Sequence, residues 1–476
     1  MRSMRAGDAE RAATFRDVLS ISEFRAIYAA SALSWVGDYL ARAAIAALVF
    51  VETGSAAASA GAFAISFAPW LLGGPVLASI AERYPYRTVM VVCDLVRAAV
   101  MCVIALPWLP TPAVLGLLLL AALFAPPFEA ARSATLPAVL QGDRYVVGLA
   151  LHTSTALPAQ ITGYFLGGAL AGGAMAGGIN PRVALLLNAI TFAVSAALIR
   201  FGTAARQPAL ARSRRTHLLR ETVDGFRLVF HTPALRALVL LIFSAALFAV
   251  VPEGLGAAWA ADLADDPAGQ GLAQATIMAS VPLGSLLGAL CVTRLVAPGN
   301  RRRILRPLAI AVPLCLVPSV LNPPLALVAV LAGLAGFAVG AAAPIANGEF
   351  VKAVPNAFRA RAFGVVQGGL QVLQGGAVLV TGLLATGNST PIPVVVGLWS
   401  LVGVLLLLGL SLAWPASSVF TEAVRAAEAA NAEAAGLADG AHVVGRHRAN
   451  GAPGPRSGVL RPTQAPQPAT EPPAGL

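Results

Sequence analysis

Twelve apolar stretches, each close to the roughly 20 residues a helix needs to cross the hydrocarbon of a bilayer, divide this chain almost from end to end. They run at 25–51, 59–81, 88–106, 111–133, 145–173, 181–200, 235–258, 271–294, 304–321, 324–346, 361–386 and 391–414. Inside a membrane every backbone N–H and C=O must be satisfied within the protein, which leaves a bundle of spanning helices as the architecture such a pattern permits. The ninth and tenth stretches are divided only by Asn322-Pro323-Pro324, where a re-entrant pair is the alternative.

The connection between the second and third stretches shows the organisation most plainly. In the segment from Gly73 to Arg97, an apolar run ends in Glu82-Arg83-Tyr84-Pro85-Tyr86-Arg87 and a second run begins at once. Six such residues are too few to span a bilayer and too charged to rest inside one, so they form a tight surface hairpin. With 57% hydrophobic and 12% charged residues over 476, and a mean hydropathy of +0.76, the chain is too apolar for a soluble protein of this size.

The net charge of +11 admits a nucleic-acid reading, but its arginines fall at every second gap between apolar runs, as cytoplasmic loops require. Those gaps carry Arg83 and Arg87; Arg144; Arg206, Arg212, Arg214, Arg215, Arg220 and Arg227; Arg301, Arg302, Arg303 and Arg306; Lys352 and Arg359. The opposite gaps carry Glu52, Asp262, Asp265 and Asp266, with Arg182 as their lone basic residue. The expectation is a multi-pass protein of the cell membrane, partnered by lipid and not by nucleic acid, with both termini in the cytoplasm. The first 20 residues have no apolar core and predict no cleaved signal peptide.

The long basic connection splits the runs six and six. The expected organisation is an N-terminal segment 1–22, a six-helix bundle 23–200, a linker 201–234, a second six-helix bundle 235–415, and a largely disordered tail 416–476. In the linker, ETVDGFRLVF alternates at helical spacing and is expected to lie along the membrane surface. In the tail, 417–436 is Ala- and Glu-rich and predicts a short helix, while 450–476 is rich in Pro, Gly and Ala. The hairpin between the eighth and ninth runs, APGNRRR, repeats the Pro and Arg cluster of the 2–3 hairpin, which favours two copies of one six-helix unit. The fold class expected is therefore an all-α membrane protein, with twelve transmembrane helices in two pseudo-symmetric bundles. Cys93, Cys102, Cys291 and Cys315 all fall in apolar runs and predict neither a disulfide nor a metal site.

Six plus six helices, a basic central loop and charged 2–3 and 8–9 hairpins resemble the major facilitator superfamily over residues 20–415. The family's hairpin signature G-x-L-A-D-R-x-G-x-R is occupied here by Ala78-Ser79-Ile80-Ala81-Glu82-Arg83-Tyr84-Pro85-Tyr86-Arg87. Asp94-Leu95-Val96-Arg97, Phe124-Ala125-Pro126-Pro127, Leu136-Pro137, Leu187-Asn188-Ala189, Asp224-Gly225-Phe226-Arg227 and His231-Thr232-Pro233 are similar to the branch of enterobactin exporters and macrolide efflux proteins. In the fifth run, Gly163-Tyr164-Phe165-Leu166-Gly167-Gly168 resembles the antiporter motif G-P-x-x-G-G, with Tyr in the place of Pro. The resemblance implies a monomeric secondary transporter that exports a small amphiphilic molecule such as a drug, siderophore or secondary metabolite. It also implies that Glu82, Arg83, Arg87, Asp94, Arg97, Glu129 and Arg132 latch the cytoplasmic face to the start of the eleventh helix near Arg361. Pairing within a helix, Asp94 with Arg97 and Glu129 with Arg132 at i, i+3, is the competing reading.

An ionised group at mid-membrane costs about 2.5–3.5 kcal/mol on insertion scales, so each one calls for a role. Asp38 and Arg42, four residues apart in the first helix, form either a proton site with its modulating cation or a pre-neutralised structural pair. Glu253, after Pro252 in the outward third of the seventh helix, is either a second proton carrier or an outer-rim charge reaching water. Gln367, Gln371 and Gln374 share one stripe of the eleventh helix and serve a ligand or, preferentially, helix packing. Gly163, Gly167 and Gly168, with Gly172 and Gly173, allow close approach of a neighbouring backbone. His152 is read as a packing residue. No phosphate-binding loop, H-E-x-x-H or G-x-S-x-G occurs, so the chain predicts no enzyme, catalytic residue, metal or cofactor. The alternatives to proton-coupled efflux are an uptake or facilitative permease and a non-transporting receptor or scaffold with a transporter-like body.

Overall fold

The computed structural model describes residues 13–71, 77, 84–176, 182–206, 218–387 and 390–449. The first 12 residues, the 2–3 hairpin with Glu82 and Arg83, the Arg-rich stretch 207–217 and the tail 450–476 lie outside these. Among the described residues there is helix and no strand. In chain order the α-helices are α1 (Phe15–Leu19), α2 (Ser22–Thr53), α3 (Ala56–Ala64), α4 (Ala68–Leu71), α5 (Tyr86–Ile104), α6 (Thr111–Leu123), α7 (Ala125–Val139), α8 (Asp143–Ala176) and α9 (Val183–Gly202). There follow α10 (Leu218–His231), α11 (Pro233–Ala249), α12 (Val251–Leu263), α13 (Pro267–Leu295), α14 (Pro298–Leu316), α15 (Leu325–Ala353), α16 (Arg359–Gly387), α17 (Ile392–Leu412) and α18 (Ser417–Ala449).

Every expected span falls on helix, the second one over its described part. Among the described residues nine helical stretches, with α6–α7 and α11–α12 each taken as one, are long and apolar enough to cross a membrane. Two of the remaining spans, α5 and α8, are 19 and 34 residues long, and α3–α4 holds the second. Local chemistry sets the boundaries. Gly54 at φ 61° ends α2, and the Ser55 hydroxyl caps α3 by accepting from the Ala58 N–H. Asp266 caps α13 ahead of Pro267. Asn322 at φ 50° turns the chain and Pro324 caps α15, so the ninth and tenth runs are two full spans and not a re-entrant pair.

Three spans are discontinuous. A 3-10 turn, Ile65–Phe67, separates α3 from α4; Phe124 separates α6 from α7 ahead of Pro126 and Pro127; Val250 separates α11 from α12 ahead of Pro252. Proline lacks the N–H that would continue the ladder, which accounts for the last two breaks.

The described residues up to Ala427 form one compact unit. In its first half α2 packs on α8 and α9, and α9 on α5; in its second half α15 packs on α13 and α14, and α17 on α14. The halves cross at α8 with α13 and at α3 with α16. Counting spans, α8 is fifth and α13 second in their halves, while α16 is fifth and α3 second, so each crossing is the counterpart of the other under the six-helix repeat.

Two expectations change here. The linker helix α10 is not detached from the bundle: Val229 is fully buried in a cluster with Phe350, Ala362 and Val366, and Gly225 sits against the Arg361 backbone, while Val223 and Phe226 stay exposed. One face of α10 thus packs on α16. The helix after Trp414 is also longer than 417–436, reaching Ala449, and its first turns are packed. Phe420, 3% exposed, stacks on Trp414 with ring centroids 5.4 Å apart and lies under the Arg302 guanidinium at 3.9 Å. The second unit starts at Glu428, and its described part is the remainder of α18 as far as Ala449.

Candidate functional site: a charged cavity between the two halves

A cavity of about 280 Å³ lies between the halves. Tyr39 and Arg42 of α2, Gln160 and Tyr164 of α8, Glu253 of α12, and Gln371 and Gln374 of α16 supply its polar wall, and Phe67, Leu157, Val250 and Val281 its apolar wall. Such a mix suits a ligand with a polar and an apolar end.

Val250 keeps helical dihedrals, so the Glu253 carboxylate stands just past a local interruption, at Val250 and Pro252, of one 31-residue helical stretch. It is 8% exposed and faces the other half: the Tyr164 hydroxyl donates to Oε2 at 2.9 Å and the Gln160 amide at 3.2 Å. The outer-rim reading of Glu253 is thus overturned. Tyr164 is 1% exposed and packs edge-on against Tyr39, ring centroids 5.1 Å apart.

Asp38 does not pair with Arg42. Its two carboxylate oxygens accept from Nη2 of Arg97 at 2.6 and 2.7 Å, although Arg97 is 59 residues away in sequence. Arg97 also covers the Phe192 ring at 4.0 Å. Arg42 instead lies 4.9 Å from the centre of the Tyr39 ring and lines the cavity, on the Glu253 side of α2. A cross-helix guanidinium with straight access to both oxygens outcompetes an i, i+4 neighbour that has an aromatic face to rest on.

Of the expected cytoplasmic latch, Glu82 and Arg83 lie outside the described residues, and Arg87, Asp94, Arg97, Glu129 and Arg132 have the following partners. Asp94 and Arg97 turn into the bundle, where Asp94 is fully buried and accepts from the Ser195 hydroxyl at 2.6 Å. Arg87 donates to the Thr203 carbonyl at 3.0 Å, capping the end of α9. Glu129 and Arg132 pair with each other along α7, with Arg132 also over the Trp35 ring. The Arg361 guanidinium lies 5.6 Å from the Phe358 ring. Position on the turn of a helix, not nearness in the sequence, separates these charges: Asp94 and Arg97 share the inner face of α5.

Of the glutamine stripe, Gln371 and Gln374 reach the cavity and Gln367 is exposed. The glycine stripe of α8 serves two neighbours. Gly163 and Gly167 meet α2 at Tyr39, Leu40 and Ala43, while Gly168 and Gly172 meet α13 at Ala275 and Gly271. A methyl group at Gly168 would sit 2.6 Å from the Ala275 nitrogen, so this crossing is made backbone to backbone. Beside it, Gln274 of α13 donates to the Ala43 carbonyl of α2 at 2.7 Å. His152 is buried against Trp35, ring centroids 4.5 Å apart.

The sequence profile described as Major Facilitator Superfamily matches residues 27–371. The chain belongs to the major facilitator superfamily. Among solved structures, the nucleoside transporter NupG superposes with a TM-score of 0.63 at 14% identity, over 82% of this chain and 98% of that one. A POT family transporter in complex with 5-aminolevulinic acid gives 0.62 at 13%, over 82% and 96%. A bacterial homolog of the human lysosomal transporter Spinster, inward-facing and occupied, gives 0.60 at 14%, over 84% and 96%. These likenesses are of fold. No curated protein matches the sequence significantly.

As a major facilitator, the protein is a membrane transporter, and its cavity stands where the two halves meet. Sequence reading missed Tyr39, Gln160 and Gln274 and noticed Tyr164 only as a departure from a motif. That departure was the available signal: the residue standing where the antiporter motif has proline is the one that holds Glu253.

Proposed function

We propose that this major facilitator is a proton-coupled carrier exporting a small amphiphilic molecule by alternating access, with Glu253 as the coupling group. The observation that carries the reading is the contact of Glu253 with Tyr164 and Gln160 across the two halves. As a carboxylate it accepts both hydrogen bonds and ties α12 to α8. A proton on it removes the charge from a low-dielectric site and weakens those bonds, so loading the group and loosening the halves become one event. Asp38, held by Arg97, is not the coupling group in this reading.

The end of the bundle where α8 meets α13 and α3 meets α16 is read as the outer one, because the arginine-rich gaps lie at the other. Export is the direction implied by the resemblance to enterobactin and macrolide exporters. One charge moving down a membrane potential provides about 2.3 kcal/mol per 100 mV, enough to sustain roughly a 40-fold gradient of a neutral substrate. A second reading, a carrier of nucleoside-like or peptide-like solutes, is favoured by Arg42, Gln371 and Gln374 beside Glu253, polar groups suited to a more hydrophilic ligand, and by what the solved relatives are named for.

Proteoliposomes loaded with candidate compounds and subjected to a pH gradient test the proposal. Glu253→Gln should abolish gradient-driven transport while keeping exchange of substrate for substrate. Undiminished pH-driven transport by that variant defeats the assignment, and transport of nothing by the wild type across a broad panel favours the scaffold alternative.

A further inference from the structure

Two carboxylates in the first half compete for one guanidinium. Arg97 gives Nη2 to both oxygens of Asp38, at 2.6 and 2.7 Å, and its Nη1 stands 3.9 Å from Oδ1 of Asp94, beyond hydrogen-bond reach. Asp94 is fully buried, its Oδ2 bonded to the Ser195 hydroxyl and its Oδ1 without a hydrogen-bond partner among the described residues. Two ionised carboxylates around one guanidinium need a second positive charge inside the bilayer, and Asp94, with one hydroxyl donor and one bare oxygen 3.9 Å from Arg97, is the worse placed of the two to stay ionised.

The other groups near Asp94 do not supply that charge. Cys93 is its neighbour on α5 and is apolar in its packing. Glu129 of α7 is a further negative group, already paired with Arg132. Asn188 and Ser195 of α9 are neutral, and Arg42 of α2 is turned to the Tyr39 ring.

We propose that Asp38 and Asp94 share Arg97, that the one Arg97 is not holding carries a proton, and that the first half therefore contains a proton-binding site separate from Glu253. In the conformation seen here the proton is on Asp94. The bond to Ser195 survives protonation, because a hydroxyl can donate or accept. When Arg97 swings its guanidinium to Asp94, the proton passes from Asp94 to Asp38, which has lost its cation, so the two carboxyl groups hold one proton between them and Arg97 supplies the one positive charge throughout.

Asp38 has a route for the exchange. It lines a second cavity of about 100 Å³ with Ser66, Arg97 and Asn188, room enough for a few waters. Arg42 forms part of the wall of this cavity and of the central one. The site thus adjoins the transport cavity through one side chain, and Asp94, fully buried, exchanges its proton by way of Asp38.

Infrared spectroscopy of the purified full-length protein in lipid nanodiscs tests this without any transport assay, so failure of the export reading leaves the test intact. In a Glu253→Gln background, a carboxylic-acid carbonyl band that shifts in D2O should be present at neutral pH. Adding Asp94→Asn should remove it. Adding Asp38→Asn should remove it too, because Arg97 is then free to pair with Asp94 and ionise it. That second loss distinguishes sharing from a merely buried acid. Absence of the band in the background variant, as a bound metal cation in the proton's place would give, overturns the proposal. Persistence of the band in either added variant overturns it as well, and if Asp94→Asn does not fold, the Asp38→Asn result decides alone.

Discussion

The Tyr164 hydroxyl reaches the Glu253 carboxylate at 2.9 Å from the opposite half of the molecule, so one hydrogen bond spans the interface that transport must open. Hydrogen bonds to charged groups contribute about 1.5–3 kcal/mol. Tyr164→Phe should therefore shift the balance between conformations by roughly ten- to hundredfold toward separated halves. Distance distributions between spin labels on α8 and α12 would register the change, and identical distributions in wild type and variant would remove this bond from the mechanism.

The Asp38–Arg97 pair predicts an asymmetry in stability. Stripping one partner from a buried ion pair costs about 3–5 kcal/mol when the other charge is stranded. Arg97→Gln strands the Asp38 carboxylate beside Asp94, whereas Asp38→Asn leaves Arg97 with Asp94 within reach. Thermal unfolding in detergent should show a much larger loss of Tm for Arg97→Gln than for Asp38→Asn. Equal losses would mean that Asp94 cannot replace Asp38.

Gly172 faces Gly271 across the crossing of α8 and α13 with no room for a side chain. Gly172→Leu should keep that end of the bundle from closing. A cysteine placed at Gln374 should then react faster with a membrane-impermeant reagent added from that side. Unchanged labelling would show that the crossing tolerates bulk and does not control access.

The start of α18 predicts a sharp boundary for truncation. Phe420 and Ala427 are buried, whereas the compact unit ends at Ala427. A chain ending after Ala427 should keep its Tm and activity. One ending after Trp414 should lose several kcal/mol, since removal of a buried aromatic alone costs about 3–5 kcal/mol. Equal stability of the two would show that α18 adds nothing to the transporter body.

The spans were legible because bilayer thickness imposes one length on every helix, whatever its neighbours. The partnerships of charged side chains were not. Asp38 and Arg42 satisfy an i, i+4 rule that holds for isolated helices, but Arg97 on α5 offered Asp38 a better geometry that no local spacing reveals. Glu253 looked close to the outer rim because its place along the seventh span is legible but the face it occupies is not. In the bundle that face meets Tyr164 and Gln160 of the other half. The charges of α5 carried two signals, proximity to the hairpin and helical phase, and phase prevailed.

The backbone contact between Gly168, Gly172 and α13 has a kinetic meaning as well as a steric one. Side chains that interlock must be withdrawn from their slots before two helices can part, and each withdrawal raises a barrier. A seam made of bare peptide has no teeth to disengage. Such a joint holds by close contact while shut and lets go smoothly, a useful property for a surface that must come apart and rejoin in every cycle.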